Sequence, residues 1–442
     1  MDRGPVAVSA PPSTDRLRVA AFSAIDLSLP QGHALHLRGI LDALANRGHD
    51  VMLVTPRAAG PSVPTAFQRL EVRPLRWRFL YYWSFELLGG CRLFWSCAGG
   101  KRDLIYVRQD LYTIAPVIVS RLLRLPLVLE VNALLTEDPA LGRSPIARRL
   151  VAASERVCLR NATTVIALSE QLGTTLARSR GIDAGRIRVV PIATHMPGPI
   201  DPEAVRGKMS VPPSTFVIGF AGNLAPVQGI ETLIEAAALD RSGEVELWII
   251  GQGREERRLR EIAACDVGSS GATGGPEQRA SGASASRAAR VRFLGGLPRE
   301  ETDRLLVSCQ ILVAPYRWPD HDKVSGGGAL STKILTYLAS DRPVLVSDIP
   351  WYSWIAEIGA GDLFAAGEAE DLARAIEKWR RQWIEAGRPL RDWPWKGPGP
   401  GRRRVEEDWT WERSAARLEA ALVGSIPAQG TTSSTSSGRL RR

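Results

Sequence analysis

Three glycine-rich turns and one lysine are the residues of this chain best suited to hold a polyanion. Gly222-Asn223-Leu224 and Gly251-Gln252-Gly253 each follow an apolar run, and Ser325-Gly326-Gly327-Gly328 precedes the helical pattern that Ser331-Thr332-Lys333 opens. Glycine lets a backbone approach a bound group closely. The amides of such turns, with the positive end of the next helix, bind phosphate oxygens. Lys333 adds a full charge, and the amides of Gly326 to Gly328 can make an anion nest without one. Each feature also has a plainer reading: glycine relieves any tight strand-to-helix turn, and Lys333 can be a solvated lysine on a helix. Their combined spacing favours the ligand reading. In Gln31-Gly32-His33-Ala34-Leu35-His36, the Gly32 turn places His36 at the mouth of a cleft. The plainer reading there is a first-turn histidine satisfied by a backbone carbonyl.

Such turns do chemistry only if a sheet aims them. Leu17 to Phe22 reads as a short buried strand, Leu37, Ile40, Leu41 and Leu44 share a helical face, and Gly48 ends that helix before the strand Val51 to Thr55. Arg47 and His49 then sit at the negative end of the helix. The alternation continues through Leu104 to Val107, Leu127 to Val131, Thr164 to Ala167 and Ile187 to Pro191, which predicts a parallel, doubly wound sheet. Pro197 to Ser214 breaks the pattern and reads as a linker. A second series begins at Phe216 to Phe220 and runs through Glu246 to Ile250, Val291 to Leu294, Ile311 to Pro315 and Pro343 to Ser347.

The expected organisation is a first Rossmann-like domain over residues 16–198, a linker over 199–214 and a second domain over 215–400. A closing helix over 405–424 completes it. Residues 266–290, almost all Gly, Ser, Ala and Arg, read as an unstructured insertion, and 425–442 as an unstructured tail. At 442 residues, two domains are the natural division. The composition, 44% hydrophobic and 24% charged, excludes a disordered chain and a polytopic membrane protein.

The net charge of +10 points to an anionic partner, nucleotide phosphates or an acidic membrane face, unless it only reflects Arg-rich usage. No nucleic-acid-binding motif accompanies it. The five cysteines form no C-x-x-C pair and no metal-ligand spacing, so free thiols and no metal are expected. Met1 to Asp15 has no apolar core of signal-peptide length, and the expected location is the cytoplasm, with a place at the inner membrane face suggested by the segment Trp77 to Arg102. Its aromatic residues and arginines suit either an interfacial helix or a core-facing helix of the first domain, and Glu86 and Arg92 exclude a spanning one.

Taken together, these segments resemble the family-four, group 1 retaining glycosyltransferases. Val217 to Ala237 resembles that family's strand, G-x-L, K-G and helix. Leu247 to Gly253 resembles its i-v-G-x-G turn, and Ser331 to Ala339 its S-P-L-K-x-x-E-Y-M-A helix, followed by Arg342-Pro343-Val344. Gln31 to His36 stands where the family has G-G-x-x-x-H. The resemblance covers about Arg18 to Val423. It implies a GT-B fold, two Rossmann-like domains facing across a cleft with the last helix packing back on the first. It also implies transfer of a hexose or related sugar, with retention, from a nucleotide-diphosphate donor to a hydroxyl acceptor, with no cofactor and no metal. The aromatic-basic stretch Trp77 to Arg102 and the net charge suggest a lipid-linked or glycan acceptor in cell-envelope synthesis.

By the same resemblance, Gly32, Gly222, Asn223, Gln228, Gly251, Gly253, Ser331, Thr332, Lys333 and Thr336 bind the donor, and His36 and Asn132 serve catalysis. The departures are specific. The family lysine before the helix glycine is Gln228, the nearby arginine is Asn223, and its two acidic positions are Gly328 and Thr336. The second-strand histidine is Asn132. Losing charge-assisted contacts at these positions removes on the order of 1.5–3 kcal/mol each. A catalytically silent relative acting as a binding subunit or scaffold is therefore the alternative, with another GT-B enzyme or an epimerase behind it.

Overall fold

The strands of each half align in one parallel sheet because both faces are covered and every second residue can be apolar on either side. The computed structural model describes residues 16–28, 32–60, 63–75, 77, 80–137, 144–266, 290–318 and 330–426. The first sheet holds β1 (Arg18–Phe22), β2 (Asp50–Pro56), β3 (Gln68–Val72), β4 (Leu104–Arg108), β5 (Leu127–Val131), β6 (Thr164–Ala167) and β7 (Ile187–Val189), in the order β3-β2-β1-β4-β5-β6-β7. The second holds β8 (Phe216–Ala221), β9 (Val245–Ile250), β10 (Arg290–Gly295), β11 (Ile311–Ala314), β12 (Val344–Ser347) and β13 (Gly361–Phe364), in the order β10-β9-β8-β11-β12-β13. The order reverses between β1 and β4 and again between β8 and β11. In such sheets ligands bind beyond the carboxyl ends of the strands at these reversals.

One face of the first sheet is covered by the helices Leu80–Cys97, Ala115–Leu123 and Pro145–Asn161, which bury Phe85, Leu93, Val117, Val119, Cys158 and Leu159 on it. The other face takes helix Gly32–Asn46 together with the closing helix Trp411–Val423. Glu86, expected to interrupt the apolar stretch, is buried instead. Its carboxylate accepts from the amides of Ile114 and Ala115 at 2.8 and 2.6 Å, so one helix caps the next. Burial pushes this carboxyl up to about 7 against those two hydrogen bonds.

The structure corrects three boundaries. Inside the expected linker 199–214, Pro202–Lys208 forms a helix capped by Asp201. It docks on the second domain because buried Arg206 donates to the carbonyls of Ser308 and Thr215 at 2.9 and 3.0 Å. The expected closing helix 405–424 is two helices, Pro400–Asp408 and Trp411–Val423, with Trp409 and Thr410 between them. Asp266 ends helix Glu256–Asp266, and Arg290 begins β10; the rest of the expected insertion, and the tail beyond Ile426, lie outside the described residues.

The closing helix is held on the first domain by named contacts. Arg47 donates to Glu419 at 2.5 Å, and the ring of His49 lies 3.4 Å from the same carboxylate. These two residues were expected to serve their own helix end and instead serve the helix from the far terminus. Ser414 donates to the Pro191 carbonyl at 2.9 Å, and the Thr194 amide to Trp409 at 2.9 Å. Gly39 is glycine because the Trp411 ring occupies the space of a side chain there. Gly39→Ala is expected to cost about 1–3 kcal/mol by overpacking. Limited proteolysis checks it: the variant should be cleaved within residues 409–426 faster than the parent.

Candidate functional site

On the second domain the carboxyl ends of β8 and β9 bring two of the glycine turns together. The Gly222 amide donates to the Ile250 carbonyl at 2.9 Å and the Leu224 amide to Gln252 at 3.0 Å. Any side chain at Gly251 would collide with the Gly222 carbonyl, and one at Gly253 with the Leu224 backbone. These glycines therefore serve loop-to-loop packing first. Asn223, between them, is exposed.

Helix Thr332–Ala339 points its positive end at this loop pair. Ser331 caps it, accepting from the Lys333 amide at 3.2 Å and from the Tyr316 hydroxyl at 2.7 Å. The Tyr337 hydroxyl accepts from the Ala221 amide at 2.7 Å, which fixes the helix against the end of β8. Lys333 does not lie along the surface as a solvated lysine would. It turns inward, donating to the Gln228 carboxamide, with its ammonium 3.9 Å from the Phe220 ring centre and 5.1 Å from that of Tyr316. Gly222 lies against it: a Cβ there would be 3.1 Å from Nζ. Burial pushes the Lys333 ammonium well below the usual lysine range. The run Ser325 to Gly328 lies outside the described residues.

On the first domain, the ends of β4 and β5 carry a buried ionic network. Glu130 accepts from the Tyr106 hydroxyl and from Arg108 at 3.1 Å, and His36 Nε2 lies 3.2 Å from both of its oxygens. Burial would push the Glu130 carboxyl up. His36, Arg108 and Tyr106 more than offset that and hold it at about 2. Burial and the Glu130 charge push the Tyr106 hydroxyl well up. His36, expected at the mouth of the cleft, is 4% exposed and held by a carboxylate, not by the backbone carbonyl of the plainer reading; its ring centre lies 5.9 Å from that of Trp411. Its Nδ1 is buried without a partner among the described residues, as are both amide atoms of Asn132 and of Gln109. Buried polar atoms without partners mark where a water or a ligand hydroxyl belongs.

The two sides meet at a seam. A side chain at Gly32, which lies in the first turn of helix Gly32–Asn46, would be 3.9 Å from the Thr332 hydroxyl. The Thr194 and Thr336 hydroxyls are 3.2 Å apart. His195 lies between Arg38 of the first domain and Arg299 of the second; burial, then those two charges, push it down to about 4.

Residues 31–193 match the family described as Glycosyl transferase 4-like domain, and residues 215–381 match Glycosyl transferases group 1. The chain belongs to the family-four, group 1 glycosyltransferases. It is 28% identical to the 2-deoxystreptamine N-acetyl-D-glucosaminyltransferase of Streptomyces fradiae over 54% of this chain and 55% of that one. The chain spans from about a third to two thirds of the length of the curated relatives it matches. The GT-B fold is shared with sucrose-phosphate synthase of Thermosynechococcus elongatus (TM-score 0.67, 19% identity, 92% of this chain and 99% of that one). It is also shared with Anabaena HepE in complex with UDP-glucose (TM-score 0.66, 16% identity, 92% of this chain and 100% of that one).

Two of the positions read above as departures from the family pattern have side-chain partners. Gln228 accepts from the Lys333 ammonium, which brings a charge from the later helix to the loop before helix Ile230–Ala238. The Thr336 hydroxyl pairs with that of Thr194 across the seam. Gly32, Gly222, Gln228, Gly251, Gly253, Ser331, Thr332, Lys333 and Thr336 lie on the elements that line the seam and the two loops beside it; Asn132 and His36 lie on the Glu130 side. Glu130, Arg108, Tyr106 and Gln109 escaped sequence reading. The one available signal was a charged residue inside the apolar strand Leu127 to Val131.

Proposed function

We propose that this protein transfers a hexose from a nucleotide-diphosphate donor to a hydroxyl of a lipid-linked or glycan acceptor in the cytoplasm, with retention at the anomeric carbon and without metal or cofactor. The observation that carries the reading is Lys333: a partly buried ammonium with no carboxylate partner among the described residues, against Gly222 and Gln228, at the amino end of a helix. A buried cation lacking an acid partner is unfavourable until an anion arrives. With the helix end and the loop amides, it would stabilise the departing diphosphate where charge develops. Closure of the seam would exclude water that otherwise hydrolyses the donor. His36 Nδ1 and the Asn132 and Gln109 amides are the groups left to hold sugar or acceptor hydroxyls. UDP and UDP-glucose are the first donors to test because a neighbour of the same fold is a complex with UDP-glucose and the relatives move glucose-type sugars.

A second reading, a silent GT-B relative that binds without turnover, rests on Thr336 being occupied by Thr194 where a donor carboxylate is expected. One experiment separates them. Unfolding in the presence of UDP should shift upward, by about 2.7 kcal/mol at a hundredfold excess over Kd. UDP should also be released from a UDP-hexose, in EDTA, when an acceptor panel is added, and proton NMR of the product should show the donor's anomeric configuration. Stabilisation without release from any donor selects the silent reading; no stabilisation by any nucleoside diphosphate removes both.

A further inference from the structure

Three of the helices that cover the outer face of the first sheet, Leu80–Cys97, Ala115–Leu123 and Pro145–Asn161, present a second apolar surface, away from the sheet. Leu80, Trp83, Leu87, Cys91 and Trp95 recur on the face of helix Leu80–Cys97 opposite its buried Phe85, Gly89 and Leu93. Leu87 and Trp95 are 69% and 71% exposed. The neighbouring helix Ala115–Leu123 adds Ile118 and Leu122, and the next, Pro145–Asn161, adds Ile146 and Leu150 on one stripe; Leu122 and Ile146 are 67% and 68% exposed. Twelve of the fifteen large hydrophobic residues exposed among the described residues belong to these helices or to Leu75 and Trp77 just before them. Scattered exposed leucines need no explanation, but a continuous face does.

The charges on the same helices say what covers it. Arg92, Arg121, Arg148, Arg149, Arg156 and Arg160 are exposed, whereas the two carboxylates, Glu86 and Glu155, are both buried and used inside the fold. Glu86 caps the middle helix, and Glu155 accepts from Arg180 at 2.6 Å. Arg149, Arg156 and Arg160 fall within a turn's edge of the Ile146–Leu150 stripe, where long side chains can reach past an apolar layer to phosphates. An apolar face edged only by cations is complementary to an anionic lipid surface. We propose that this three-helix face seats the protein on an anionic bilayer. No described helix is long and apolar enough to cross a membrane. The seating also places the cleft near the lipid: Trp83 stacks on Tyr112 in the turn after β4, with ring centres 5.8 Å apart, and the Tyr81 hydroxyl donates to Ala24 after β1 at 3.4 Å.

The surface does not depend on the transfer reaction, and its test uses no nucleotide. The full chain is sedimented with vesicles of phosphatidylcholine alone and of phosphatidylcholine with abundant phosphatidylglycerol. Binding is expected only to the second and is expected to weaken with added salt. The double variant Leu87→Glu/Leu122→Glu should lose it, and Arg121→Glu/Arg149→Glu should weaken it about tenfold or more, with melting temperatures unchanged because all four side chains are exposed. If the apolar variant misfolds, the charge-reversal variant and the salt dependence still decide. Equal binding to both vesicle types, wild-type binding by the charge-reversal variant, or a dimer in light scattering that Leu87→Glu/Leu122→Glu dissociates would each overturn the proposal, the last by naming a second copy as the occupant.

Discussion

Glu130→Ala is expected to destabilise the first domain by about 3–5 kcal/mol, because it strips the carboxylate from a buried arginine, histidine and tyrosine at once. Among the described residues, Arg108 and His36 are hydrogen-bonded to no other acid, and the Tyr106 hydroxyl donates to Glu130. Urea unfolding followed by tryptophan fluorescence reads the loss. Glu130→Gln keeps the volume and one acceptor, so it should lose less. The pH dependence follows from the sign of the shift. The carboxyl is held at about 2 against an ordinary 4.5, so its contribution is present above pH 4.5 and is withdrawn as pH falls toward 2. The glutamine variant should therefore show a flatter acid limb than the parent. A loss under about 1 kcal/mol for Glu130→Ala would mean that the network behaves as an exposed ion pair does.

Lys333→Met is the second large effect, and it should move stability and binding in opposite directions. Burial depresses the ammonium, so its favourable contribution belongs above the ordinary value of 10.5 and is lost as pH falls through the depressed one. Near neutrality, methionine of similar length should keep or raise the melting temperature without ligand. Affinity for UDP should fall roughly ten- to a hundredfold, the worth of a charge-assisted hydrogen bond of about 1.5–3 kcal/mol. In the parent a bound diphosphate favours the protonated amine, so UDP affinity should decline as pH rises toward 10.5, and the variant should lose that slope. Titration calorimetry at two pH values measures both. Unchanged UDP affinity in Lys333→Met would mean that amides alone hold the diphosphate, and the lysine would then be a packing residue over Phe220.

Much of the frame was legible in the residues. Period-two and period-3.6 apolar runs with glycine and proline between them gave most of the strands of both sheets, and the glycine turns fell at their carboxyl ends, as the sheet order requires. β3 and β13 were not read, since Gln68–Val72 is mostly polar and half-buried at a sheet edge, and Gly361–Phe364 has only four residues beginning with glycine. The short helix Pro202–Lys208 was hidden among prolines, because its packing rests on Arg206 and on carbonyls far along the chain.

The local sequence determined the parallel α/β class, the two-domain division and the family. These depend on periodicity and on short motifs whose parts lie within a few residues of one another. The tertiary structure alone decided what the polar residues do. Glu130 meets His36 across 94 residues, Lys333 meets Gln228 across 105, and Arg47 meets Glu419 across 372. A charge reads locally as solvated, and only burial beside a distant partner makes it a network, a latch or a site. The same holds for Glu86, whose place in an aromatic run suggested an interruption. Folded, it turns inward to cap a neighbouring helix, and the face that it leaves behind is apolar and edged by arginine.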